Sequence, residues 1–274
     1  MTDSANQSFG CYVIHYSPLH ARRSFLEKAL RGVQSSWVTE ADVIMDRFPW
    51  KNSNRVFGVS RRIIASDLGI NSRSLSRSRR RATYESYIYR FASLFGKRFK
   101  KITYGSLPND ARLPQNILEL NVMHLHSVLL FIQEKKEWGL FLEDDSLFSQ
   151  EGLKQVSLIS NEKKLKPIWI NLNDGAGLIR TSSEKRINEA GLFRVKPPTT
   201  RCASAYMINR EYALRFKHLI MTHGIPDWLP IDILYQVANR KLHVESYWSD
   251  SIRFIQGSSS GIYASSLESL RIKE

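Results

Sequence analysis

Short apolar runs alternate along the chain with stretches whose apolar positions recur every three or four residues. Residues 10–17, GCYVIHYS, are a continuous apolar run ending in polar residues, which predicts a buried strand. Residues 19–31, LHARRSFLEKALR, put Leu19, Phe25, Leu26, Ala29 and Leu30 on one side and predict an amphipathic helix. Residues 37–45 fit a second strand. Residues 117–137 read as a long helix with a charged end. WGLFL, 138–142, is too brief for a helix and runs as a strand into Glu143, Asp144 and Asp145. PIWINL, 167–172, repeats that pattern and ends in the turn NDGAG. Residues 201–208 predict a strand, and 209–221 a helix that Asn209 caps. A short helix at 231–240 and late strands at 243–248 and 252–256 follow. No internal repeat is present. The alternation predicts an α/β fold with a mainly parallel mixed sheet flanked by helices. Ligands of such sheets bind beyond the carboxyl ends of the strands, so polar residues that follow apolar runs are the ones to weigh.

Composition bounds the reading. With 274 residues, 42% of them hydrophobic and 24% charged, the chain suits one globular domain with a sizeable core. Two cysteines exclude a disulfide scaffold, and Cys11 and Cys202, both in apolar runs, read as buried structural thiols. No run approaches the ~20 apolar residues that span a bilayer. The opening MTDSANQSFG lacks the order of a signal peptide, so the expected compartment is cytoplasmic.

The net charge of +14 is uneven, because residues 61–101 alone carry twelve basic and two acidic side chains. Their centre, SRSLSRSRRR at Ser72–Arg81, cannot build a core and reads as an exposed, insertion-like segment within a single 1–274 domain, whose Ser-rich tail starts near 257. One reading is a solvated loop that serves solubility. Another is peripheral association with an anionic membrane, at its inner face, or with an acidic acceptor. The alternative function class is a nucleic-acid or anionic-surface binding protein. The aromatics from Tyr84 to Phe95 recur at helical spacing, which speaks for packed rings and against specific nucleic-acid binding.

The acidic triplet carries the chemistry. Three adjacent carboxylates repel one another, and a buried unpaired one is costly, so something positive must compensate. A divalent cation, Mn²⁺ or Mg²⁺, takes carboxylate oxygens and leaves positions for phosphate. Held there, it stabilises the charge on a departing diphosphate, as a nucleotide-sugar transferase requires. The plainer reading is an acidic loop or helix start.

Several stretches resemble, in order, the lipooligosaccharide and collagen galactosyltransferase family, glycosyltransferase family 25. VIHYSPLHARRSFLEKAL looks like its opening strand, turn and helix. Glu119–His126 is similar to its Glu-x-x-x-x-x-x-His helix, with Leu125 rather than Ser before the His. WGLFLEDDSLF resembles its strand ending in Glu-Asp-Asp, CASAYMINREYALRF its Tyr-centred strand and following helix, and HGIPDWLPID its loop ending in Pro-x-Asp. The likeness covers about 10–50 and 115–256 and omits 61–101. It implies a GT-A-type fold and a metal-dependent, inverting transfer of galactose or a similar sugar from a nucleotide-sugar donor, UDP-linked by expectation, to a glycan or lipid-linked glycan such as lipooligosaccharide.

On that reading Asp145 and then Asp144 are the metal ligands, and Glu143 holds the donor sugar. His15, Tyr16 and Ser17 lie where a base and ribose dock. Arg22 pairs with a phosphate or an acid, whereas Arg23 reads as a surface charge. Glu119 and His126 share a helix face and border the donor pocket, while His124 points about 160° away from His126 and so is left out of that site. Tyr206 and Ser204 contact the donor, and the loop Gln256, Gly257 and Ser258 closes over the diphosphate. Asp232 is the base that deprotonates the acceptor, and it also suits the start of the following helix. Asp227 is a weaker candidate. Trp228 is either an acceptor platform or a packing anchor.

Overall fold

The computed structural model describes residues 7–51, 55–57, 59–60, 113–161, 166–173, 191–195, 200, 202–249, 253–258 and 260–263. The basic segment 61–101, with the helix expected at 84–95, lies outside them. In chain order the strands are β1 (Phe9–His15), β2 (Ser35–Thr39), β3 (Trp50–Lys51), β4 (Arg55–Val56), β5 (Val59–Ser60), β6 (Trp138–Glu143), β7 (Ser146–Phe148), β8 (Ile168–Asn171), β9 (Leu192–Val195), β10 (Ala205–Asn209), β11 (Ile225–Pro226), β12 (Glu245–Ser249) and β13 (Phe254–Gln256). The helices are α1 (His20–Ala29), α2 (Gln115–Gln133), α3 (Gln150–Ser160), α4 (Arg210–His223) and α5 (Ile231–Lys241).

Seven strands form one mixed sheet in the order β2-β1-β6-β10-β8-β12-β9. β1 is parallel to β2 and β6, β12 is parallel to β8, and β10 runs against both β6 and β8. β9 closes one edge, antiparallel to β12. The carboxyl ends of β1, β6 and β8 therefore meet the amino end of β10 along one margin of the sheet. A separate hairpin-like pair, β7 with β13, joins the residue after the acidic turn to the late chain, Gln256 facing Ser146.

Side chains alternate across the sheet, as a pleated strand requires. Cys11 and Val13, Leu140 and Leu142, Ile168 and Ile170, and Ala205 and Met207 face one way, under Leu26 of α1 and Leu153, Val156 and Ile159 of α3. Tyr12, Phe141, Trp169, Tyr206 and Ile208 face the other, under α2, α4 and α5. Four of those rings form a ladder across β1, β6, β10 and β8. Tyr12 stacks on Phe141 at 5.1 Å, Phe141 on Tyr206 at 4.9 Å, and Tyr206 on Trp169 at 4.3 Å. Such pairs add about 0.5–1.5 kcal/mol each beyond the area they bury.

Local chemistry sets the element ends. Asn209 caps α4 through the Tyr212 N–H at 3.1 Å, as its sequence position implied. Gly224 ends α4 at φ +77°, and a Cβ there would come within 2.6 Å of the Pro49 carbonyl oxygen. β2 stops at Thr39, short of the strand expected to 45. The Asp42 carboxylate accepts the Thr39 N–H and hydroxyl at 2.8 and 3.1 Å and turns the chain into a 3₁₀ segment, Glu40–Asp42.

Truncating the middle of the ladder tests its weight. Phe141→Ala is expected to lower unfolding free energy by about 3–5 kcal/mol, measured by urea titration, with Phe141→Leu losing less than half of that.

Candidate functional site

β6 delivers Glu143, and Asp144 and Asp145 form the turn that leads into β7. The turn sits at the shared margin of the sheet, and each acid is met by a different part of the molecule. Asp144 is nearly enclosed. Its Oδ1 accepts from the Arg22 guanidinium at 2.7 Å, and its Oδ2 lies 3.1 Å from His15 Nδ1 and accepts the Tyr16 N–H at 3.0 Å. Arg22 stands in the first turn of α1 and is itself buried, with its guanidinium over the Tyr263 ring at 5.1 Å. The sequence reading paired Asp144 with Asp145 as metal ligands and offered Arg22 to a phosphate or an acid. The structure gives Arg22 the acid, and both oxygens of Asp144 are used to hold Arg22, His15 and the end of β1.

Asp145 is handled differently. Its Oδ2 accepts the Ser258 N–H at 3.3 Å and the Ser258 hydroxyl, and its carbonyl accepts the Gly257 N–H at 2.7 Å. Gly257 is required there, because a Cβ would lie 3.0 Å from that carbonyl and 2.5 Å from the Tyr263 ring. Asp145 Oδ1 is buried and takes no hydrogen bond. Burial raises the Asp145 pKa, the Ser258 hydrogen bond opposes it, and the charge on Asp144 raises it further. Glu143 is pushed well above the ordinary carboxylate range by burial and by the charges on Asp145 and Asp144, against the pull of Arg22. The loop at 256–258, expected to close near the diphosphate, thus meets Asp145 directly.

Glu143 faces α2. Its Oε1 lies 3.1 Å from His124 Nε2, and His124 Nδ1 lies 3.1 Å from the Tyr206 hydroxyl, which lies 2.9 Å from the Tyr235 hydroxyl. Burial holds His124 neutral, lowering its pKa to about 4 against the charge on Asp232. Sequence reasoning put Glu119 and His126 at the donor pocket and left His124 out, whereas His124 is the residue of α2 that meets Glu143. Glu119 accepts from Gln115 and His126 Nδ1 meets Arg47 at 2.9 Å, so these hydrogen bonds of theirs are made outside the acidic turn. The missed signal was periodic. Ile117, Asn121, His124, Val128 and Phe131 recur three or four residues apart, all buried, which places His124 on the core stripe. Tyr206, expected to touch a donor, is fully buried in the ladder with its hydroxyl occupied.

Asp232 lies in the first turn of α5, where its Oδ1 accepts the Ala203 N–H at 2.6 Å. Its pKa is lifted to about 6, first by burial and then by the charge on Glu143, against the Ala203 N–H and His124. Asp232, Glu143 and His124 are therefore close enough to act on one another electrostatically. Ser204, before β10, accepts through its carbonyl from the Glu143 N–H at 2.7 Å and from the Ser146 hydroxyl at 2.6 Å, which pins both sides of the turn. Its own hydroxyl accepts from Asn173. Ser17 donates its N–H and its hydroxyl to Glu40. Trp228 is a packing anchor, 2% exposed within the main core, and the Asp227 carbonyl accepts the Leu113 N–H. Cys11 and Cys202 are free and buried, and burial raises both thiol pKa values, which leaves them protonated.

Among the described residues no group of three or more His, Cys, Asp or Glu side chains is arranged to hold a metal ion. No described helix is long and apolar enough to cross a membrane. No protein-family model matches the chain, and no curated protein matches it.

The two neighbouring arginines give a direct test. Arg22→Ala leaves a buried carboxylate uncompensated and is expected to cost about 3–5 kcal/mol. Arg23→Ala removes an exposed pair with Glu27 and a contact of the guanidinium with the Trp37 ring at 4.8 Å, and is expected to cost about 1 kcal/mol. Parallel denaturant titrations that gave equal losses would overturn the assignment of Arg22 to Asp144.

Proposed function

We propose that the chain is a glycosyltransferase that moves a sugar from a nucleotide-sugar donor to a hydroxyl acceptor at the acidic margin of the sheet. The observation that carries the reading is Asp145 Oδ1, a buried carboxylate oxygen without a partner, in the same site as a carboxylate, Asp232, whose pKa is raised to about 6. An orphaned buried acid is relieved by a proton or by a cation, and the raised Asp145 pKa marks that need. Asp145 fits Mn²⁺ or Mg²⁺, which are commonly held by one or two carboxylates together with substrate phosphates. Asp144 does not fit as a second ligand, since Arg22, His15 and Tyr16 already occupy it. When bound, the cation would offset charge on the donor diphosphate.

The chain's own residues do the rest. Asp232 Oδ1 is fixed by the Ala203 N–H, which leaves Oδ2 to accept the proton of the acceptor hydroxyl. As that O–H bond breaks, the oxygen forms a bond to the anomeric carbon. The bond from that carbon to the diphosphate breaks and carries its electron pair away with the leaving group. The neighbouring Glu143 holds the donor sugar. The ordered likeness to the galactosyltransferase family points the same way, with galactose on UDP as the first donor to test and a glycan or lipid-linked glycan as acceptor. The net +10 of residues 61–101 favours an anionic acceptor or membrane surface.

Two outcomes test this. In a thermal-shift screen, Mn²⁺ with a UDP-sugar should raise the melting temperature of the parent, and neither should raise that of Asp145→Asn. Without cation, Asp145→Asn should melt no lower than the parent, because it removes a buried repelling charge. Asp232→Asn should lower transfer by about 10²–10⁴-fold. Turnover by the parent should fall about tenfold per unit as pH drops below about 6, since Asp232 then takes up a proton and no longer acts as a base. A flat profile from pH 5 to 7 would remove Asp232 from that role.

A further inference from the structure

Of one buried polar assembly the transfer chemistry uses only the first member, Glu143. Glu143, His124, Tyr206 and Tyr235 form an unbroken chain of contacts at 3.1, 3.1 and 2.9 Å. His124, Tyr206 and Tyr235 are fully buried among core side chains, and the charge on Asp232 reaches His124 and Tyr235. The chain also joins two parts of the site. It begins on the last residue of β6 and ends on α5, where Tyr235 stands three residues after Asp232, on the same side of the helix.

We infer that His124, Tyr206 and Tyr235 are positioning residues, a dry hydrogen-bond chain that fixes the Glu143 carboxyl and ties it to the helix carrying Asp232. Each atom in the chain can be satisfied at once. With a carboxylate at Glu143, His124 Nε2–H donates to it, His124 Nδ1 accepts from the Tyr206 hydroxyl, and the Tyr206 oxygen accepts from the Tyr235 hydroxyl. The same contacts close with every donor reversed. Nothing in the chain is free to swing. The Tyr206 ring is clamped between Phe141 and Trp169, and the His124 ring packs against Tyr206 at 5.9 Å and edge-on to Tyr235 at 6.2 Å. A buried chain with every polar atom matched keeps one heavy-atom arrangement whichever way its donors run, and a broken one leaves a costly unpaired group. Carboxyls in reacting sites depend on such outer partners, whose loss commonly costs about 10–100-fold in activity.

The chain's existence is independent of the reaction, whereas its part in turnover rests on the glycosyltransferase reading. The full-length protein labelled with ¹⁵N-histidine separates the two, with the His124 resonances assigned by their loss in His124→Asn. The parent should show a neutral His124, and either tautomer closes the chain. Tyr206→Phe keeps the ring in the ladder, removes the hydroxyl next to Nδ1, and should move the Nδ1 shift. Tyr235→Phe should move it in the same direction by less. Unchanged Nδ1 shifts in both variants overturn the chain. A change in Tyr206→Phe alone ends it at Tyr206 and overturns the link to α5. In donor turnover, Tyr235→Phe should lower kcat about tenfold with the donor KM within about twofold. An unchanged kcat overturns the positioning role. A parent that turns over no sugar nucleotide sinks the glycosyltransferase reading and leaves the imidazole shifts to decide the chain.

Discussion

Arg22 meets Asp144 at 2.7 Å with both side chains almost shut off from water, and much of the local layout follows from that contact. A guanidinium and a carboxylate that leave water together offset their desolvation only when their remaining hydrogen-bonding capacity is used. Here the second carboxylate oxygen holds His15 and the Tyr16 N–H, and the Tyr263 ring covers the guanidinium. The end of β1, the first turn of α1, the acidic turn and the 257–263 stretch are drawn to one point. None of them can shift alone without exposing a buried charge.

With one acid spent on structure, the other two can be specialised. Glu143 looks inward to a histidine and two phenols, and Asp145 looks toward a serine turn with one oxygen unmatched. Three neighbouring residues of one chemical kind thus occupy three electrostatic settings. The aromatic ladder behind them makes this stable, since Tyr206 serves both as a rung of the sheet's packing and as the group that holds His124. Packing and polar order are one assembly here. A change in the core would be felt at the carboxyls.

The sequence made the central strands and most helices legible, because β1, β6, β8 and β10 are buried on both faces and read as apolar runs. The MINREY stretch announced Asn209 as a cap through its position alone. The strand order and the reversal of β10 were not legible, since pairing partners lie far apart in the chain. β7 and β9 escaped because they are short and held by tertiary pairing, β7 by β13 and β9 by β12. The acidic turn was visible, but the division of labour within it was not. Arg22 reads as the partner of a phosphate or an acid, and only the fold shows that the acid is Asp144. His124 was legible in principle from the core stripe of α2, and was passed over because His126 carried the motif spacing.

The acidic turn lies between its two sources of relief. Arg22 precedes Asp144 by 122 residues, and Ser258 follows Asp145 by 113. As the chain emerges during synthesis, Asp144 finds its counter-charge already made, whereas Asp145 must wait for a segment still to be translated. The strands beside the turn, β1, β6 and β10, all precede Gly257 and Ser258 in the chain, so the acidic turn draws its partners from both ends of the sequence and is complete only when the last of them is in place.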